Sequence, residues 1–366
     1  MSDESKAETQ KSRVDGQNGE LIYHGYSIID LGENADIEEV AYLLWNNAFP
    51  NSEQLAAFDA ELKALRPMPD SFVDMLKAFP KTAHPIAVLR TAVSALSLVD
   101  SEADNVTLEN SLSIAKNLTA TIPTIIAAWE RIRNGKEPIA PRDDLNHAAN
   151  FLYMFTGEEA APEAVDAIDK YLVLLADHGF NASTYSARVT TSTMSDMYSA
   201  ITTAIGTLKG PAHGGATQAA MQQFIEAHEM GPAEFFAMCK ESGRRVMGIG
   251  HRVYKVEDPR AKILRPLAEK LAASHEQGYW FEVALGVEKA ARADQYFIDR
   301  NLYPNVDYYS APALYMLGIP MDTFTSMFAM SRVIGWTSHV LEQMEHNRLI
   351  RPLANYTGPT DLKIKG

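Results

Sequence analysis

From Ile37 onward the chain repeats one pattern, apolar residues three or four apart with Ser or Asp close to the start of each run. A period near 3.6 residues puts such positions on one face of a helix. Runs of this kind cover Ile37–Trp45, Ser52–Leu65, Ser71–Phe79, Pro85–Leu98, Arg142–Phe155, Pro162–Leu175 and Met194–Leu208, and resume at Thr217–Ala227. A longer run, Leu108–Ile132, contains Pro123, whose ring and missing N–H predict a kink or break. The segment FTSMFAMSRVIGWTSHV, residues 324–340, is apolar round most of its circumference. Only residues 13–30 depart from the helical period: RVDGQNGELIYHGYSIID sets Asp15-Gly16 and Asn18-Gly19 between short β-rich pieces, which predicts a small hairpin. The first dozen residues are polar and expected to fray. No repeat of fixed period and no low-complexity linker interrupts the series, so the fold class is mainly α.

A length of 366 residues suggests two lobes or one large helical body. The net charge of −14 argues against a general binder of nucleic acid or anionic membrane, which needs excess Lys and Arg. The single cysteine, Cys239, excludes an intrachain disulfide and a cysteine metal cluster. With no apolar run of membrane-spanning length and no signal-peptide core in MSDESKAETQKS, the expected location is the cytoplasm.

Against this acidic background, Arg244–Arg265 carries seven basic residues and two acidic ones. Gly248 and Gly250 precede His251 and give a ligand room to approach the main chain. Asp258 and Pro259 read as N-cap and first position of a helix running to Leu271, with Arg260 in its first turn. The residues by themselves suggest a polyanion at a helix N-terminus beside an acid/base histidine, or a basic surface helix after a loop. In GPAHGGA, residues 210–216, His213 falls close to the start of the next helix, where the helix dipole favours a neutral imidazole able to donate a hydrogen bond to an enolate; an ordinary helix corner reads the same way. In NVDYYS, Asp307 stands among apolar and aromatic neighbours that raise a carboxylate toward general-base duty, while Asp307 or Ser310 equally serves as a helix cap. Arg332 falls inside the apolar helix and requires an anion, from the protein or from a ligand. His339 and His346 lie seven apart with Glu342 between them, but no HExxH or Cys/His cluster accompanies them, so that face reads as solvated and no metal is expected.

Taken together, LADHGFNASTYSARV, GPAHGGA, MGIGHRVYKVEDPR, NVDYYSA, FAMSRVIGW and RPLANYTGP stand in the order and spacing of the citrate synthase family, and the chain resembles its shorter bacterial and archaeal form from about Val14 to Gly358. The resemblance implies an all-α, two-domain homodimer with a small N-terminal hairpin. Residues 1–214 and 323–366 would form the large domain and 215–322 the small one. It implies that Asp307 takes a proton from the acetyl-CoA methyl, His213 donates to the thioester oxygen, and His251 polarises the keto group of oxaloacetate. Arg260, Arg332 and Arg351 would hold the carboxylates, with Arg351 crossing to the partner's site and His178 adding a hydrogen bond. Val246, Met247, Gly248, Ile249 and Gly250 resemble the coenzyme A adenine loop, and Lys255 a phosphate contact. No tightly bound cofactor is implied. The chain departs from the family at Thr217, where asparagine is usual, at Leu353, where many members have arginine, at Leu175, where histidine is common, and in its lack of a GLEGV-like lead. Two other readings stay open at this stage: 2-methylcitrate synthesis from propionyl-CoA, and a catalytically silent polyanion-binding protein.

Overall fold

A computed structural model of the chain describes residues 8–364. Its only sheet is a three-stranded antiparallel meander near the N-terminus, β1 (Ser12–Asp15), β2 (Glu20–Tyr23) and β3 (Tyr26–Ser27). The first turn carries the Asp-Gly and Asn-Gly pairs, with Ser12 opposite Tyr23 and Asp15 opposite Glu20. The second turn, His24-Gly25, has positive φ at both residues, the geometry that two-residue hairpins favour. The expected hairpin is therefore present with one strand more.

The remainder is helical: α1 (Ile28–Asn34), α2 (Ile37–Asn46), α3 (Ser52–Ala64), α4 (Asp70–Ala78), α5 (Pro85–Leu96), α6 (Leu108–Arg133), α7 (His147–Thr156), α8 (Pro162–Leu175), α9 (Ala182–Ser192), α10 (Met197–Leu208), α11 (Ala216–Met230), α12 (Pro232–Ser242), α13 (Pro259–Ser274), α14 (Tyr279–Arg292), α15 (Gln295–Asp299), α16 (Val306–Met316) and α17 (Phe324–Glu345). Local chemistry sets many of the boundaries. Asn51 and Gln54 close a reciprocal capping box on α3, and Asn146, Asn181 and Asp196 cap α7, α9 and α10 through their side chains. Contrary to the expected break, α6 runs through Pro123 as one helix. Pro123 is buried and α6 packs against α5, α7 and α17, so tertiary contacts hold the turn that proline weakens.

α17 is the axis of the molecule. It is buried along nearly all its length and packs on α6, α8, α9 and α10. α11 to α16 form a second set, in which α16 lies against α11, α13 and α14. No helix among the described residues is long and apolar enough to cross a membrane.

Two expectations for the chain ends are corrected. Residues 1–7 lie outside the described residues, but Lys11 and Ser12 are buried rather than frayed. The Lys11 ammonium donates to the Leu44 carbonyl at 2.9 Å and to Asn47 at 2.8 Å, and the Ser12 hydroxyl donates to Asp177. The Gln10 amide donates to Glu342 Oε1 at 2.8 Å, joining the first strand to the last helix. Likewise His339, expected on a solvated face, is fully buried, and only His346 is exposed. Its Nε2 meets Asp177 at 3.1 Å, and its Nδ1 faces Arg188 at 3.3 Å. Burial pulls the imidazole pKa down, but the Asp177 carboxylate more than offsets that, so His339 titrates above the usual range.

Candidate active site

Asp307 sits in the first turn of α16, whose start is fixed by its neighbours. Asn305 accepts from the Asp307 amide at 2.9 Å as N-cap, and its own side-chain amide donates to the Gly250 carbonyl at 2.8 Å. The backbone pairs as well: Asn305 N donates to Gly248 O at 2.8 Å, and Gly250 N to Tyr303 O at 2.7 Å. The loop that ends in His251 is thereby stitched to the segment that presents Asp307. Gly248 has φ of 75°, and a Cβ there would come within 2.9 Å of the Tyr308 Cα. Glycine is needed there for close approach by the protein's own helix.

The helix start at Asp258 is also occupied. Asp258 caps α13 through the Arg260 amide at 3.0 Å and binds the Arg260 guanidinium by two bonds, at 3.0 Å to Nε and 2.8 Å to a terminal nitrogen. It takes the Val306 amide at 3.3 Å too, tying α13 to α16. A protein carboxylate therefore stands at this N-terminus. The basic residues of the surrounding run do not form one patch. Arg244 pairs with Glu226, Arg260 with Asp258 and Arg265 with Glu288.

His178, His213, His251 and Asp307 are half-buried, each leaving part of its surface open while protein surrounds the rest. His178 and His251 rings lie 5.6 Å apart edge to face, and Tyr254 closes the group, its hydroxyl 3.1 Å from His178 Nε2. His251 Nδ1 accepts two backbone amides, Val253 at 3.0 Å and Tyr254 at 3.1 Å. An Nδ1 engaged as acceptor leaves the proton on Nε2, so this imidazole is neutral and presents an N–H. Burial, then Arg260, pushes its pKa down to about 4. Burial, then Arg260 and Arg332, takes His178 well below the usual range.

His213 is neutral as well, with a pKa of about 4. The largest cause is burial, followed by Arg332. Its Nε2 stands 2.8 Å from Ser183 Oγ. Trp336 Nε1 donates to the same oxygen at 3.0 Å. The Ser183 hydroxyl donates to Asn181 Oδ1 at 2.7 Å, and that oxygen also accepts the Ser183 and Thr184 amides as the cap of α9. Ser183 Oγ thus joins His213 to the cap of α9.

Arg332 completes the centre. It is 1% exposed, donates from Nε to the Leu175 carbonyl at 2.7 Å, and lies 4.7 Å over the Phe328 ring, against which His213 also packs at 6.1 Å. Burial raises the pKa of Asp307 above the ordinary carboxylate range, against the opposing pull of a Thr217 hydrogen bond and Arg260. A base with its affinity raised, two neutral imidazoles and two buried guanidiniums suit proton abstraction beside a carbonyl with an anionic partner in place.

Of the residues expected at the site, His178, His213, His251, Asp307, Arg260 and Arg332 converge. Val246, Gly248 and Ile249 are buried in the loop behind them, with Met247 and Gly250 partly covered. Lys255 is exposed, its amide bonded to Gly16 of the hairpin turn at 2.8 Å. Arg351 lies exposed in the coil after α17. Ser183, Asn181, Tyr254 and Trp336 were not anticipated; only Asn181 carries a local signal, an N-cap residue ahead of a helical run.

The family model described as citrate synthase, C-terminal domain, matches residues 1–353. A citrate synthase of Haloferax volcanii is 47% identical over 97% of this chain and 94% of its own length. Among solved structures, citrate synthase from Pyrobaculum aerophilum superposes with a TM-score of 0.91 at 41% identity, covering 100% of this chain and 93% of that one. The Thermoplasma acidophilum enzyme, solved as a ternary complex with carboxymethyl coenzyme A and oxaloacetate, also gives 0.91, at 33% identity over 100% and 97% of the two chains. Relatives named 2-methylcitrate synthase match at lower identity.

Proposed function

The chain belongs to the citrate synthase family, and from that footing we propose that it condenses acetyl-CoA with oxaloacetate and hydrolyses the citryl-CoA formed to citrate and coenzyme A. The observation that carries the reading is the convergence of Asp307, its proton affinity raised by burial, with a neutral His213 and a neutral His251 whose Nδ1 is taken up by backbone amides. Asp307 takes the α-proton of the acetyl group. The thioester oxygen gathers charge as the C–H bond breaks, and His213 holds it. His251 polarises the keto group that the resulting carbon nucleophile attacks. A thioester α-proton is weakly acidic, so base and oxyanion donor must act together where water is scarce.

Arg332, Arg260 and His178 hold the oxaloacetate dianion on one side, and Arg351 of a second copy in a homodimer supplies a further guanidinium. Val246 to Gly250 cradle the adenine of coenzyme A, with Lys255 at a phosphate. The large domain comprises residues 1–214 and 323–366, and the small domain, 215–322, closes on it. The enzyme works in the cytoplasm without a tightly bound cofactor.

Thiol release measured with oxaloacetate and either acetyl-CoA or propionyl-CoA tests the assignment. We expect a clear preference for acetyl-CoA. Preference for propionyl-CoA would make this a 2-methylcitrate synthase, and no release with either would make it a silent binder. The shared site is tested by mixing: D307N and R351A chains, each inactive alone, should regain roughly a quarter of wild-type site activity after random subunit exchange. Exchange without recovery removes the trans role of Arg351.

A further inference from the structure

Thr217 makes one hydrogen bond, and it is to the proposed base. Its side chain is 2% exposed, and its hydroxyl donates to Asp307 Oδ1 at 2.5 Å. Helical threonines elsewhere in this protein do something else: Thr91, Thr156, Thr191 and Thr203 return their hydroxyls to the carbonyl four residues back. That is the ordinary local partner of a threonine in a helix. For Thr217 it would be the carbonyl of His213, yet the hydroxyl turns across to α16 instead. An ionised carboxylate only accepts, so the proton belongs to the threonine and the direction of the bond is fixed.

We infer that Thr217 is the positioning residue of the catalytic base, holding Oδ1 of Asp307 so that Oδ2 alone takes the α-proton of the acyl-CoA. The inference rests on the function proposed above. Oδ2 has no protein donor among the described residues. When the α C–H bond breaks, its proton moves to Oδ2 and its electron pair flows into the thioester carbonyl. Thr217 stands in the first turn of α11, four residues after His213. The same bond therefore sets the base on α16 against the turn that follows the oxyanion donor. A β-branched side chain is stiff about χ1, and a hydroxyl offers one proton, so one carboxylate oxygen is engaged and the other left to react.

The test compares T217V, T217S and D307N. One readout is solvent exchange of the acetyl-CoA methyl protons with malate, which has no keto group to attack, in place of oxaloacetate. The others are kcat, the KM for oxaloacetate, and the pH profile of kcat/KM. A hydrogen bond to a charged group is lost in T217V, so kcat and exchange should fall about 10- to 100-fold. The KM for oxaloacetate should change less than about 2-fold, which also reports an intact fold. Because the bond favours the ionised base, its loss should move the acidic limb of the profile to higher pH. T217S should stay within about 3-fold of wild type, since it keeps the hydroxyl. A wild-type rate and limb in T217V overturns the inference, as does T217S failing as badly as T217V, which would make the methyl group the part that matters. If D307N is dead while T217V is unchanged, only this inference falls; if D307N still exchanges, the assignment of the base falls with it.

Discussion

Arg260 and Arg332 are buried to nearly the same degree, 3% and 1% exposed, and they are held in opposite ways. Arg260 is gripped through two nitrogens by Asp258, which overrides the cost of burial and raises its pKa. Arg332 has a backbone carbonyl at Nε and an aromatic ring below it. Burial lowers the Arg332 pKa, and the carboxylate that most opposes this, Asp177, is engaged with Ser12 and His339. One cation is neutralised before any substrate arrives, and the other keeps its field for a ligand. A pre-paired arginine contributes geometry, because its fork is fixed. An arginine without a carboxylate partner contributes attraction.

The widest separation of the two should come from replacing each by leucine. R332L is expected to raise the KM for oxaloacetate by about 10²- to 10⁴-fold, the scale for removing one partner of a desolvated charge contact, while unfolding in urea shifts by less than about 1 kcal/mol. R260L leaves the Asp258 carboxylate buried and unmatched, and should cost about 3–5 kcal/mol of stability. Much of that loss should return in D258L/R260L, which removes both charges. Equal stability losses in the two single variants would erase the distinction.

A finer effect lies in the histidines. After burial, Arg332 is the charge that depresses His213, and Arg260 the charge that depresses His251. Imidazole titration by NMR should therefore show His213 moving up toward its ordinary range in R332L and His251 in R260L, with little crossover. In the wild type each folded pKa, about 4, lies below the value near 6.5 of an unfolded histidine. The unfolded chain then binds more protons between those values, so each histidine's contribution to stability is complete above about pH 6.5 and is lost as pH falls toward about 4. Neither should gate catalysis at neutral pH. A protonation of either near pH 6.5 in the folded protein would contradict the burial described here.

How much of this was legible in the sequence follows from how local each signal is. Helical period and caps depend on neighbours within a turn, so the helical body, Asp258 as a cap and Asp307 near a helix start could be read directly. His339 could not, because its burial depends on Asp177, which lies 162 residues away. Pro123 misled for a related reason: proline weakens a lone helix, and packing by distant helices restored it. The basic run misled because its partners, Glu226, Asp258 and Glu288, include two from other helices. Of the supports of the site, Ser183 is tied to His213 across 30 residues and Thr217 to Asp307 across 90. Motif resemblance reached the groups that do the chemistry, and the structure was needed for those that hold them.

The bond between the Gln10 amide and Glu342 spans 332 residues, and strand β1 also rests on Asp177 through Ser12. In time, the strand that leaves the ribosome among the first elements is secured by the helix that leaves last. At roughly 5–20 residues per second the wait is on the order of tens of seconds, during which β1 has little beyond its hairpin neighbours to pair with. The Asp177 and His339 pair forms only when α17 arrives. A nascent chain therefore has its hairpin and the earlier helices before it has Arg332 and His339, both of which lie on α17.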